Sequence, residues 1–126
     1  MLEIGDLQVT AGGGRHAVIH PEIPVIDNTV FLVGTQDKPA QFCHPGDSLY
    51  VPSVAVDVLA IPATAPWMKI SETVDYLRAV APRVAMPIHQ EIVSEAGRGI
   101  YYERLSEMAP KGTEFRVWPE ENEVDL

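Results

Sequence analysis

Apolar positions fall into short blocks, and their spacing changes from strand-like to helix-like about halfway along the chain. MLEIG (1–5) and LQVTA (7–11) alternate apolar and polar residues around Gly5-Asp6, which predicts a β-hairpin. Gly12, Gly13 and Gly14 then break the strand. Three glycines in a row are entropically expensive, so they mark a backbone that turns or approaches something closely. Residues 15–27 hold two histidines and two prolines and read as a long loop. Thr29–Gly34 (TVFLVG) is a strongly apolar strand, Thr35–Pro39 turns it, and Ala40–Cys43 returns, which makes a second hairpin. His44-Pro45-Gly46-Asp47 is a loop, and the β-branched run Val54–Ile61 is a strand that ends at Pro62.

Beyond Pro62 the period becomes helical. Val74, Leu77 and Ala81 form one apolar face of a helix capped by Ser71, with Glu72 in its first turn and Pro82 as its stop. Arg83–Ile88 (RVAMPI) is a short strand of buried type, with His89 directly at its end. Tyr101, Leu105 and Met108 mark a second helix over Arg98–Met108, closed by Lys111-Gly112, with Tyr101 in the core and Tyr102 partly exposed. Glu114–Trp118 is a last strand, and Glu120, Glu121, Glu123 and Asp125 give a solvated tail.

This order predicts an α/β (α+β) fold over residues 1–126 as one unit, a mixed sheet with both helices on one face. The strands show little alternation, so the opposite face is apolar too, built from residues such as Val30, Leu32, Val56, Val58 and Val84. No helix is left to cover it. A bare apolar face of several hundred Å² is rare on soluble monomers, so a two-fold homodimer with stacked sheets is expected.

Composition narrows the function classes. The chain has 126 residues and a formal net charge of −9, with nine Lys and Arg residues. The basic residues are scattered singly, which argues against nucleic-acid binding. No apolar run approaches the roughly 20 residues of a membrane span, and the N-terminus lacks the pattern of a signal peptide, so a cytoplasmic setting is expected. One cysteine, Cys43, excludes an internal disulfide framework and a cysteine-based zinc finger; in apolar surroundings it reads as structural.

Four histidines are present, with no His-x-x-x-His or His-x-His pair. Their placement carries more than their spacing. His16 follows the glycine break, Asp47 lies in a loop after a strand, and His89 ends a strand. Ligands of open α/β sheets bind beyond strand carboxyl ends, where Asp and His side chains can converge on a metal. On spacing alone the metal signal is weak, and loop or capping histidines are the favoured reading. Trp67, after Ala63-Thr64-Ala65-Pro66, either lines a pocket or plugs the helix. Ser48 and Ser71 have no adjacent base and are not nucleophiles.

FCHPGDSLYV resembles the His-x-Gly-Asp segment of the metallo-β-lactamase superfamily. DVLAIPATAPWMKISETVDYLRAVAPRVAMPIHQ resembles the part that follows it, and GGGRHAVIHPEIPVIDNTVFLVG the part that carries an earlier ligand histidine. The similarity is greatest to the lactonase-like branch of metal-dependent hydrolases, of the L-ascorbate 6-phosphate lactonase type. The resemblance implies zinc or manganese, with His16 on one metal, Asp47 bridging both, His89 on the second, and His44 in support. His20 matches no ligand position.

The superfamily's His-x-His-x-Asp-His signature does not occur in this sequence. The chain therefore resembles the C-terminal half of an αββα sandwich. Two ligands per ion imply weak, partly hydrated binding. The function implied is hydrolysis of an ester, lactone or phosphorylated small molecule by a metal-activated water. The isolated chain is expected to be inactive until an N-terminal complement supplies the rest. The alternatives are a self-associating interaction module and a degenerate metal- or ligand-binding protein.

Overall fold

The structure, a computed structural model, describes residues 1–119 and Asp125. Glu120, Glu121 and Glu123 of the expected solvated tail lie outside the described residues; Asp125 is exposed.

Seven strands form one sheet: β1 (Leu2–Ile4), β2 (Leu7–Gly12), β3 (Val30–Gly34), β4 (Phe42–His44), β5 (Val58–Pro62), β6 (Val84–Ile88) and β7 (Glu114–Phe115). They lie side by side in chain order. β1 to β4 pair antiparallel, while β4 to β7 pair parallel. Helix α1 (Ile70–Val80) joins β5 to β6, and α2 (Glu95–Met108) joins β6 to β7. The mixed sheet with two helices is the predicted α/β architecture.

The main core lies between the sheet and the helices. Val30, Cys43, Leu59, Ile61 and Ala85 meet Val74, Tyr76, Leu77 and Leu105 there. Both helices thus pack on one face. Alternation sends Phe42, Val58, Val84 and Met86 to the other face as a smaller cluster. Trp118 lines a cavity of about 250 Å³ on that side with Phe42, Ala60 and Met86.

That arrangement corrects the expected bare face. Val30, Leu32 and Val56 belong to the helix-side core. Val58 and Val84 do face away from the helices, but they are 4% and 0% exposed. Phe31, paired with His44 across β3 and β4, is 45% exposed, and Trp118 beside the cavity is 44% exposed.

Several bounds also move. The expected strand from Val54 begins only at Val58, because its neighbours begin there: Val58 pairs with Phe42 on β4 and with Val84 on β6. The returning strand is Phe42–His44 rather than Ala40–Cys43, although the Ala40 and Gln41 carbonyls still accept from Asp57 and Val58. Ser71 is not the cap of α1. Lys69 stands there, and its N–H donates to the Glu72 carboxylate at 2.6 Å. Ala81 is not on the apolar face but is the exposed, left-handed residue that ends α1. α2 starts three residues earlier than expected, because the Ser94 hydroxyl accepts the Gly97 N–H at 3.1 Å. Leu105 is its buried residue, while Tyr101 is only half-buried and Met108 is exposed. The last strand stops at Phe115.

Candidate functional site

Three loops meet at the carboxyl ends of β4, β5 and β6. The first spans residues 15–27, and its ends are tied by an isolated bridge between Arg15 and Asp27. This closure sets His16 at the loop's base, where its N–H donates to the Ile26 carbonyl at 3.1 Å. The second is His44-Pro45-Gly46-Asp47. The Asn28 Oδ1 accepts the Asp47 N–H at 2.9 Å, and the Asn28 Nδ2 donates to the Pro45 carbonyl at 3.0 Å. Gly46 is left-handed (φ 62°), and a Cβ there would collide with the Asn28 Oδ1. The third loop begins at His89, also left-handed (φ 63°). The Thr64 hydroxyl donates to the His89 carbonyl at 2.7 Å and holds that conformation.

The structure brings His16, Asp47 and His89 together. The His16 Nε2 lies 3.7 Å from Asp47 Oδ2, and the His89 Nε2 lies 3.7 Å from Asp47 Oδ1. Each imidazole thus addresses its own carboxylate oxygen. These separations exceed a hydrogen bond. They approach the roughly 3.4 Å that separates two ligand atoms on one tetrahedral ion.

His16 adds a test of fit. Its Nδ1 sits 2.6 Å from the Ala17 carbonyl, which can only accept, so the ring's proton is on Nδ1. In the neutral ring the Nε2 lone pair then faces a carboxylate oxygen across a gap. Two such atoms repel unless a proton on Nε2 or a cation stands between them. An imidazole oriented by a backbone carbonyl is also the usual arrangement of a histidine ligand. The donor set therefore fits a divalent ion, with two protein ligands at each position. No group of three such side chains converges on one point among the described residues.

His44 does not join them as a ligand. Its Nδ1 accepts the Gly46 N–H at 3.2 Å and so braces the turn before Asp47. Burial holds its imidazole below the ordinary value, and the proximity of His89 adds to that. His20 is an exposed loop histidine that accepts the Glu22 N–H. Cys43 is buried, and burial pushes its thiol up to about 11, as befits a structural residue. Trp67 meets the His16 ring edge-on at 5.9 Å and lines an adjoining groove, so it both packs and forms a wall. Asn28 and Thr64 escaped the sequence reading. Single polar residues in loops carry only a generic turn signal.

Residues 1–89 match the family model of the beta-lactamase superfamily domain, a span that contains all three convergent residues. The chain belongs to the metallo-β-lactamase superfamily, a family of hydrolase type. It is 62% identical over 123 residues to "Protein Rv0786c" of Mycobacterium tuberculosis (strain ATCC 25618 / H37Rv). The alignment covers 98% of this chain and 57% of that protein, so the chain spans little over half of that relative's length. The fold is similar to that of Igni18, described as a novel metallo hydrolase from the hyperthermophilic archaeon Ignicoccus hospitalis KIN4/I. That likeness has a TM-score of 0.60 at 16% identity and covers 90% of this chain and 50% of the other. No helix among the described residues is long and apolar enough to cross a membrane.

Proposed function

We propose that this chain carries the C-terminal half of a metal-dependent hydrolase centre. In this reading His16 and Asp47 hold one cation, Asp47 and His89 hold a second, and the cation is zinc or manganese. The observation that carries it is the Asp47 carboxylate, which offers one oxygen to each of two imidazoles at 3.7 Å. A bound divalent cation supplies an activated water and polarises the carbonyl or phosphoryl oxygen under attack. Asp47 bridges, His16 and His89 orient, and His44 and Asn28 hold the loop that carries Asp47. The substrate is a small ester, lactone or phosphorylated compound.

With two protein ligands per ion, the isolated chain binds metal weakly and does not turn over substrate. The remaining ligands come from a complementing segment that carries His-x-His-x-Asp-His. The exposure of Phe31 on the sheet face away from the helices supports a second association, in which two copies stack these faces as a homodimer.

Isothermal titration with zinc and manganese tests the centre. Weak binding in the native chain that vanishes in Asp47→Ala is the expected result. Binding that is unchanged in Asp47→Ala overturns the assignment. Metal-dependent ester or lactone turnover by the chain alone, abolished by His89→Ala, would refute the need for a complement. Sedimentation equilibrium over a concentration series reads the association, and a monomer at every concentration removes the homodimer.

A further inference from the structure

Five of the six arginines are engaged. Arg83, Arg98, Arg104 and Arg116 pair with Asp57, Glu91, Glu107 and Glu114, and the Arg78 Nε donates to the Met108 carbonyl. Arg15 has neither an ion pair nor a side-chain hydrogen bond among the described residues. Its backbone is nonetheless held. Arg15 stands opposite Asp27 in a bridge closed on both sides, by His16 N–H to the Ile26 carbonyl at 3.1 Å and by Asn28 N–H to the Gly14 carbonyl at 3.3 Å. Asp27 faces it across that bridge without forming an ion pair. A placed guanidinium left free in a chain of net charge −9 is the exception here.

Arg15 lines a groove of about 770 Å³ with Gly13, Gly14, Tyr50 and Trp67. The amides of Gly13 and Gly14 donate to no acceptor among the described residues. Gly13 is left-handed (φ 68°), and a side chain there would run into Val30. Gly13 and Gly14 thus line the groove together with Arg15, and backbone N–H groups without an internal acceptor combined with a free guanidinium suit an oxyanion. Glu72 also lines the groove, but its carboxylate is committed to the Lys69 N–H at the start of α1. Trp67 belongs to both places: its ring meets His16, and it walls the groove.

We propose that this groove is an anion subsite in which Arg15, with the Gly13 and Gly14 amides, takes the carboxylate or phosphate end of a small acidic substrate. Trp67 packs against the apolar part, and the scissile bond lies on its His16 side. The substrate's placement rests on the hydrolase reading above; the anion site itself does not.

The test is a ¹⁵N-resolved NMR titration of the chain in EDTA with phenyl phosphate, benzoate and, as a neutral control, benzyl alcohol. Both oxyanions are expected to shift the Gly13 and Gly14 amides and the Trp67 indole N–H, and the tighter of the two identifies the natural headgroup. Arg15→Gln weakens them about tenfold, the usual effect of losing one charge-assisted contact, while Arg98→Gln does not. Equal affinity in Arg15→Gln with an intact spectrum overturns the proposal, as does equal binding of benzyl alcohol. Zinc titration of the same protein is read separately. Zinc binding without anion binding removes the subsite and leaves the metal centre standing. Anion binding without zinc binding supports the subsite and removes the hydrolase reading.

Discussion

Asn28→Ala is the most informative perturbation of the loop that carries Asp47. The amide makes two hydrogen bonds, at 2.9 Å from the Asp47 N–H and at 3.0 Å to the Pro45 carbonyl. The two losses are unequal. The Pro45 carbonyl keeps the Ser48 hydroxyl at 2.8 Å, whereas the Asp47 N–H loses its acceptor. An unpaired, partly buried donor costs about 1–3 kcal/mol, and a lost but replaceable bond costs less, so the sum is about 2 kcal/mol. For a domain of this size that lowers Tm by roughly 6 °C. Urea denaturation at constant m gives the numbers, and zinc titration reads the consequence for Asp47, about tenfold weaker binding. If Asn28→Ala unfolds within about 0.5 kcal/mol of the native chain, the loop is held by something other than this amide.

Three further outcomes are expected. Ala81→Gly stabilises the chain by about 0.5–1 kcal/mol, because Ala81 is exposed and left-handed at the end of α1; an unchanged or lower Tm refutes this. Leu105→Ala costs about 2–5 kcal/mol in a denaturant titration, since Leu105 is 0% exposed and anchors α2 to the sheet. Arg83 holds the Asp57 carboxyl below its ordinary value by a two-point hydrogen bond at 2.8 and 2.9 Å. The folded value is the lower one, so the stabilisation is present above the unfolded value and is lost as pH falls through the folded one. The stability difference between the native chain and Asp57→Asn should therefore shrink as pH falls through and below the ordinary carboxylate value of 3.8; a constant difference contradicts it.

The existence of each strand and helix was legible in the hydrophobic spacing, but several bounds were not. Val54–Asp57 is apolar enough for a strand, yet a strand extends only as far as its neighbours pair with it. The start of α1 carries no sequence signal, because the Lys69 cap works through its backbone N–H and Glu72, not through a capping side chain. The uninterrupted run TVFLVG does not say which parity faces the helices, so the helix-side position of Val30 and Leu32 is visible only in the structure. At the site, His16, Asp47 and His89 are far apart in sequence; β4 and β6 flank β5, which brings Asp47 to His89, and the Ala17 N–H donates to the Asp47 carbonyl at 2.8 Å, which brings His16 to Asp47. That neighbourhood is a property of the topology. Spacing alone left their convergence open, and the resemblance of ordered motifs pointed to it. Asn28 and Thr64 act through one or two bonds each to a remote loop, and no local pattern announces such a role.

The strands occupy the sheet in the order in which they leave the ribosome. Each new strand finds its partner at the growing edge, and none has to be inserted between two that have already paired. The antiparallel meander from β1 to β4 closes by short-range contacts, while each later parallel strand waits for its helix to fold back across the sheet. Folding can thus advance from one end while synthesis continues, with the open rim handed from strand to strand. Of the site residues, His89 is the last to emerge, directly after β6, so Asp47 and His16 leave the ribosome before the second imidazole does. Pulse-labelled hydrogen exchange would register that sequence as protection that spreads from β2 and β3 towards β6.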